Sequence, residues 1–237
     1  MPVTYANDGK VAIVTFDDGK ANAFTISVLD EISAALDRSL EDPDATAVML
    51  AGRDGRFSAG FDLSVMTAGD EQMRELVTAG GRFVAKLLTH PMPVVAACTG
   101  HALAAGALVL LAADWRVGAS GNFKIGLNEV AIGMPLPRWA VEICRYRMPA
   151  TEFDRIILGD VGGPENAVRS GFLDEVVSPG EVRTAATAAA RAYAELRTGA
   201  VAGTKSRARA RIAREMLEGI EEDLASVSTP ETSSAGG

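Results

Sequence analysis

Glu129 stands in Ile125-Gly126-Leu127-Asn128-Glu129-Val130-Ala131-Ile132-Gly133, among apolar neighbours. Burial there would raise its pKa and make the carboxylate a usable base near neutral pH; the plainer alternative is a surface glutamate at a turn. Two other stretches share the pattern of a buried strand running into Gly and Ala. They are Arg56-Phe57-Ser58-Ala59-Gly60-Phe61-Asp62 and Gly100-His101-Ala102-Leu103-Ala104-Ala105-Gly106. Small residues let main-chain N–H groups face a substrate oxygen with no side chain between. One N–H from each stretch would make an oxyanion hole, the second helped by the positive end of a helix dipole. Taken singly, each stretch also reads as close packing of helix on sheet.

Other chemistries find less support. Ser58 is one residue out of register with the G-x-S-x-G nucleophile elbow. A triad of Ser58, His101 and Asp114 has nothing in the sequence to fix its geometry, and His101 alone reads as a packed or hydrogen-bonded histidine. Neither G-x-G-x-x-G nor a P-loop motif occurs. The only histidines are His90 and His101, and Cys98 and Cys144 show no metal-ligand spacing, so neither a metal site nor a disulfide framework is expected.

The elements that must carry these residues alternate. Thr4 to Ala6 and Val11 to Phe16 predict a hairpin about Asn7-Asp8-Gly9. Leu29, Ile32, Leu36 and Leu40 predict a helix capped by Thr25 or Ser27 and stopped by Pro43. Val48 to Leu50 and Val94 to Cys98 read as buried strands. Between them, Gly55 to Leu63 reads as a loop, and Met73 through Leu87 as a helix ending before Pro91. Gly100 opens a stretch of small residues that becomes a helix through about Leu111, followed by short strands near Trp115–Val117 and Phe123–Ile125. Helices are expected at 138–147, 152–158, 164–170, 181–197 and 201–226. Strands alternating with helices, then helices alone, indicate an α/β core with a helical C-terminal region. Residues 226–237, small and polar, are expected to be disordered.

Composition narrows the class. The 237 residues suffice for a substantial core, and 48% hydrophobic with 23% charged residues are globular proportions. Net charge is −8, which argues against a global grip on nucleic acid. The apolar run from Ala102 to Ala113 is too short to cross a membrane, and MPVTYANDGK has no signal-peptide pattern; a soluble cytoplasmic protein is expected. Lys205 to Arg214 holds five cations in ten residues, a solvated helix face or a contact for an anionic ligand.

The three segments together resemble the crotonase (enoyl-CoA hydratase/isomerase) superfamily, in order and separation. Ala21-Asn22-Ala23-Phe24 is similar to its Asn-Ala-hydrophobe segment, and Phe57 to Leu63 to its F-[SC]-A-G-x-D-[LI] loop. Gly100 to Gly106 is similar to N-G-x-A-x-G-G-G, Ala113-Asp114 to the C-D or S-D that closes the next helix, and Gly162 to Val177 to A-x-x-x-G-L-[VI]-[DN]-x-V-[VF]. The likeness spans roughly residues 3 to 215. It implies a ββα superhelix as core (1–195) and a helical C-terminal trimerisation region (196–225), in a homotrimer or dimer of trimers.

It also implies an acyl-CoA thioester as ligand, with coenzyme A entering only as part of the substrate and no separate cofactor. Carried over by position, Ala59 and Ala105 N–H would hold the thioester oxygen. Ala21, Ala23, Phe57, Gly60, Phe61, Asp62 and Gly106 would line the substrate, with Met66, Phe83, Met134 and Trp139 as candidates for the pocket floor. The cations of 205–214 would meet the CoA phosphates across a subunit contact.

Two departures matter. Ala104 and Ala105 replace the usual Gly-Gly, which narrows the pocket and disfavours positive φ. Leu108 stands where family hydratases with two catalytic acids carry a Glu, while Glu129 occupies the place of the second acid. Ile125 to Glu129 is also similar to the I-G-L-N-E of Δ3,Δ2-enoyl-CoA isomerases, which rely on one glutamate. The resemblance therefore implies an isomerase. The alternatives are a hydratase pairing Glu129 with Asp62 or another group, and a non-catalytic CoA-ester binding protein.

Overall fold

Short strands that are apolar on both sides need a layer on each face, and the chain supplies them. The computed structural model describes residues 3–220, 222 and 223; the expected tail at 226–237 lies outside them. Strands β1 (Val3–Asp8) and β2 (Val11–Phe16) form an antiparallel hairpin with Asp8 opposite Val11, so the loop is Gly9-Lys10, one step later than expected. Gly9 takes φ 64° there, the positive value that suits the twist of a two-residue hairpin. β3 (Ala23–Phe24) leads into α1 (Ile26–Glu41), where Thr25 is the cap and its side chain accepts the Val28 N–H at 3.2 Å.

After β4 (Ala47–Ala51), the stretch expected as a loop is built instead of β5 (Gly55–Ser58), β6 (Gly60–Phe61) and a single-turn α2 (Leu63–Met66). These pieces are too short to show a period. α3 (Asp70–Thr89) and β7 (Val94–Cys98) follow. The small-residue stretch from Gly100 begins as β8 (Gly100–Leu103) and becomes helical at α4 (Ala105–Ala112). The reason is parallel pairing of Gly100 with Gly55, so close that a Cβ on Gly100 would lie 2.1 Å from a Gly55 backbone atom. β9 (Trp115–Ala119), β10 (Ile125–Gly126) and a 3-10 turn (Val130–Ile132) precede α5 (Arg138–Arg147) and α6 (Ala150–Ile157). β11 (Val161–Gly162), α7 (Pro164–Ser170), β12 (Glu175–Val177), α8 (Val182–Ala194) and α9 (Thr198–Glu218) complete the order.

The main sheet runs β1-β2-β4-β7-β9-β12 and is parallel beyond the hairpin. Side chains alternate across β4 with the strand period. Val48 and Leu50 join the large core under α1, α3 and α4, while Ala47, Met49 and Ala51 face Val182, Ala186, Ala190 and Ala194 of α8. A smaller sheet, β11-β10-β8-β5, and the pair β3-β6 stand apart from it. They bring the three chemistry-bearing segments side by side. This α/β architecture with a helical C-terminal region is the expected fold class. The apolar run 102–113 is divided between β8 and α4, and among the described residues no helix is long and apolar enough to cross a membrane.

The C-terminal cations do not behave as one solvated face. α9 packs on α3 and α5. Its Lys205 and Arg209 point inward, where Lys205 Nζ and Arg209 Nη2 reach the Asp114 carboxylate at 2.6 and 2.7 Å. Both also donate to main-chain carbonyls, those of Met92 and Leu88. Lys205 and Arg209 are therefore unavailable to a phosphate, and their expected CoA contact is corrected: the residues are 7% and 8% exposed. Removing one partner strands part of a buried charge. Lys205→Ala is expected to cost about 3 kcal/mol in urea unfolding, at the low end for a broken buried pair because Arg209 still serves Asp114. Affinity for a CoA ester, measured by calorimetry, is expected to stay unchanged.

Candidate active site

A cavity of about 480 Å³ opens between the small sheet, α2, α3 and the segment after β10. Ala21, Ala23, Ala59, Phe61, Asp62 and Glu129 line it, as does Leu108 of α4. Met66, Met134 and Trp139 form wall as well, whereas Phe83 packs against Phe24 with ring centroids 6.4 Å apart and is not part of it. The wall is apolar except at a few points, the usual make-up of a small-molecule site.

Glu129 projects from the turn that follows β10. Its Oε2 is buried and has no hydrogen-bond partner. Burial pushes the carboxyl up to about 7, against the weaker opposing pull of the Glu129 and Asn128 main-chain N–H groups. A carboxylate in that range exchanges protons near neutral pH. Asp62, the only other acid among the described residues that line the cavity, is committed elsewhere. Its Oδ1 accepts the Ser64 N–H and Oγ–H at 2.8 and 2.5 Å, capping α2, and those bonds hold its pKa below the usual carboxylate value.

The two expected oxyanion donors differ. Ala105 opens α4, is 3% exposed, and its N–H meets no main-chain carbonyl among the described residues. It is one of the donors a helix leaves unpaired at its start. The Ala59 N–H donates to the Ala21 carbonyl at 3.2 Å. Ala104, immediately before α4, has φ 50° and ψ −125°, so alanine occupies the left-handed side despite its Cβ, at a cost on the order of 1–3 kcal/mol. Its N–H donates to Gly126 at 3.0 Å, which seats the turn between the strand leading to Glu129 and the loop holding Ala59.

Four expected substrate contacts, Phe57, Gly60, Ala105 and Gly106, are not among the described residues that line the cavity. Phe57 is wholly buried, edge-on to Phe16 with centroids 5.4 Å apart. Gly60, at φ 93°, lies so near Ala104 that a Cβ would come within 2.8 Å of the alanine methyl. A Cβ on Gly106 would meet the Ser58 carbonyl at 2.8 Å. Phe57, Gly60 and Gly106 thus pack the loops that carry Ala59 and Ala105 closely against one another.

The Ser58–His101–Asp114 triad is not assembled. Ser58 is fully buried and its Oγ accepts the Gly60 N–H. His101 Nδ1 accepts the Lys124 N–H, and Asp114 is engaged with α9. Among the described residues no cluster of three or more His, Cys, Asp or Glu could hold a metal ion.

Two residues given no role by the sequence, Asn22 of the Ala21–Phe24 motif and Asp18 before it, do the local positioning. Asn22 is buried at φ 55°, and its Nδ2 donates to the carbonyls of Phe16 and Phe57 at 3.0 and 2.8 Å, stitching β2 to β5. Asp18 accepts the N–H groups of Lys20, Asn22 and Ala23. The Asp-Asp-Gly run at 17–19 was the available signal, since aspartate side chains that bond their own downstream backbone make such turns.

Residues 6–234 match the model of the enoyl-CoA hydratase/isomerase family. The chain belongs to that family. A probable enoyl-CoA hydratase of Mycobacterium bovis is 31% identical over 203 residues, covering 85% of this chain and 77% of that one. An enoyl-CoA hydratase/isomerase family protein of Pseudomonas syringae superposes with a TM-score of 0.91 at 39% identity, covering 94% of this chain and 97% of its own. The human mitochondrial Δ3-Δ2-enoyl-CoA isomerase superposes at 0.90 with 26% identity, covering 95% and 90%. The fold, the family and an acyl-CoA ligand class are thus consistent with one another.

The raised carboxyl has a stability consequence. Below pH 4.5 Glu129 is protonated whether the chain is folded or not. Between 4.5 and about 7 the folded chain keeps a proton that the unfolded chain has released, so stability from this group is lost as pH rises. Glu129→Gln removes that loss and is expected to be more stable than the parent by about 3 kcal/mol at pH 8, the gap narrowing toward pH 5. Urea midpoints of both proteins at the two pH values check it.

Proposed function

We propose that this family member is an acyl-CoA isomerase that moves a 3-enoyl double bond to the 2-trans position. The carrying observation is the presence of one uncommitted carboxylate on the cavity wall. Glu129 is raised toward neutral pH, Asp62 is tied to Ser64, and the inward position on α4 is the apolar Leu108. Adding water to a double bond asks for one group to activate the water and another to share its proton. Shifting a double bond asks for one base used twice.

In this reading the ionised Glu129 takes a proton from C2. The electron pair moves onto the thioester oxygen, making a dienolate. Ala105 N–H, unpaired at the head of α4, and Ala59 N–H, exchanging its long bond to Ala21 for the new oxyanion, stabilise that charge. Glu129 then returns the proton to C4, and the double bond settles between C2 and C3. The reaction so drawn uses coenzyme A only as the substrate's handle. Assembly into trimers or dimers of trimers, through surfaces beyond this cavity, belongs to the same proposal, as does a soluble cytoplasmic setting.

Hydration is the competing reading, and the hydratase name carried by the mycobacterial relative favours it. It would require Asp62 or a group outside the wall to act beside Glu129.

A panel of 3-enoyl and 2-enoyl CoA esters separates the two. Double-bond shift is expected to dominate. Water addition faster than isomerisation would overturn the isomerase reading, and binding without turnover on any ester would favour a CoA-ester carrier. Glu129→Gln is expected to lower kcat by about 10²–10⁴-fold, the range for a lost acid–base group, while CoA-ester affinity changes little. Since the base must be ionised, kcat/KM is expected to climb about tenfold per pH unit below pH 7 and to level off above it.

A further inference from the structure

α4 runs from the cavity, which its Leu108 lines, to the buried charges at its foot. Its sequence, Ala-Gly-Ala-Leu-Val-Leu-Leu-Ala, has no polar side chain, and every residue is buried. The helix therefore cannot cap itself at either end. At its head no side chain bonds the free N–H groups, and Ala104 is in a strained conformation. At its foot the last carbonyls lie in the interior, where unpaired acceptors are costly. Arg147, the final residue of α5, reaches them. Its Nε donates to the Leu111 carbonyl at 2.7 Å, and its Nη2 donates to that of Ala113.

Around this guanidinium sit Arg116, bonded bidentately to Asp174, and the Asp114–Lys205–Arg209 cluster. Cations there outnumber carboxylates by two. Burial and the neighbouring Arg116 and Arg209 lower the Arg147 pKa to about 10, so it remains charged at neutral pH. A positive charge at a helix C-terminus complements the macrodipole. The foot of an eight-residue helix is only about 12 Å from its head, so whatever fixes the foot fixes the amide at the head.

We infer that Arg147 is a positioning residue for catalysis: by bridging the carbonyls of Leu111 and Ala113 it sets the place of α4, and so aims the Ala105 N–H at the thioester oxygen. The inference rests on the oxyanion-hole reading above. An arginine is suited to it because its planar fork serves two carbonyls at once, which a lysine cannot do in the same geometry.

The test uses the full chain and a saturated acyl-CoA labelled with ¹³C at the thioester carbonyl, which binds without reacting. Binding to the parent protein is expected to move the carbonyl resonance downfield as the oxygen is polarised. Arg147→Lys and Arg147→Ala are expected to bind this ester within a few-fold of the parent, to show a smaller carbonyl shift, and to lose tenfold to hundredfold in kcat, the scale of a misplaced catalytic group. Added guanidinium is expected to restore part of the turnover of Arg147→Ala. Should that variant not fold, Arg147→Lys carries the test, because it keeps the charge and loses only the bridge.

A parent-like carbonyl shift and kcat in the folded variants would overturn the inference. So would a loss confined to KM, or to unfolding temperature, with the shift intact. An absent shift in the parent protein would instead strike the oxyanion-hole reading, which keeps the two failures apart.

Discussion

Everything at this site depends on how closely three stretches of main chain approach one another. Side chains are excluded at the contacts. A Cβ on Gly52 would stand 2.5 Å from the Phe57 carbonyl oxygen, and one on Gly100 would collide with Gly55. Gly60 and Gly106 are pinned in the same way against Ala104 and Ser58. With that spacing, parallel strands β5 and β8 deliver Ala59 and Ala105 to neighbouring places, and β10, paired to β8, delivers Glu129 beside them. A methyl added at any of these glycines would push the main-chain stretches that carry Ala59 and Ala105 apart.

The same economy of space explains why the Glu129 carboxyl holds its proton so firmly. Glu129 owes its raised pKa to loss of water, and the two main-chain N–H groups near it do not make up the difference. A second acid at position 108 would share that dry environment and compete for the same proton. Leucine leaves the wall apolar at that point, and Glu129 keeps that environment to itself.

Much of this was legible in the sequence, for physical reasons. Residues 26–41 and 70–89 announce themselves because a buried helix face repeats every three or four positions. The catalytic candidates stand out because a glutamate among Leu127, Val130 and Ile132, and glycines beside alanines, are unusual company. What failed was short or distant. β5, β6 and β8 hold two to four residues each, too few for a pattern, and only their pairing partners make them strands. Lys205 and Arg209 looked solvated because cations usually are. Yet they share a helical stripe with the buried Ile212, Ala213 and Met216, and that register was a readable sign that they turn inward. Their partner, Asp114, is about ninety positions away, which no local pattern reports. Phe57 failed differently: the motif places it near the ligand, and the structure uses its ring for the core and its carbonyl for Asn22.

Every residue lining the cavity falls between Ala21 and Trp139. Among the described residues, α6 through α9 contribute no surface to the chamber. Among the described residues, the chamber wall and the helices packed behind it thus fall in successive parts of the sequence. Substitutions accumulating in the second part can retune rigidity, and recombination near residue 140 could graft one chamber onto another's foundation without redrawing its walls.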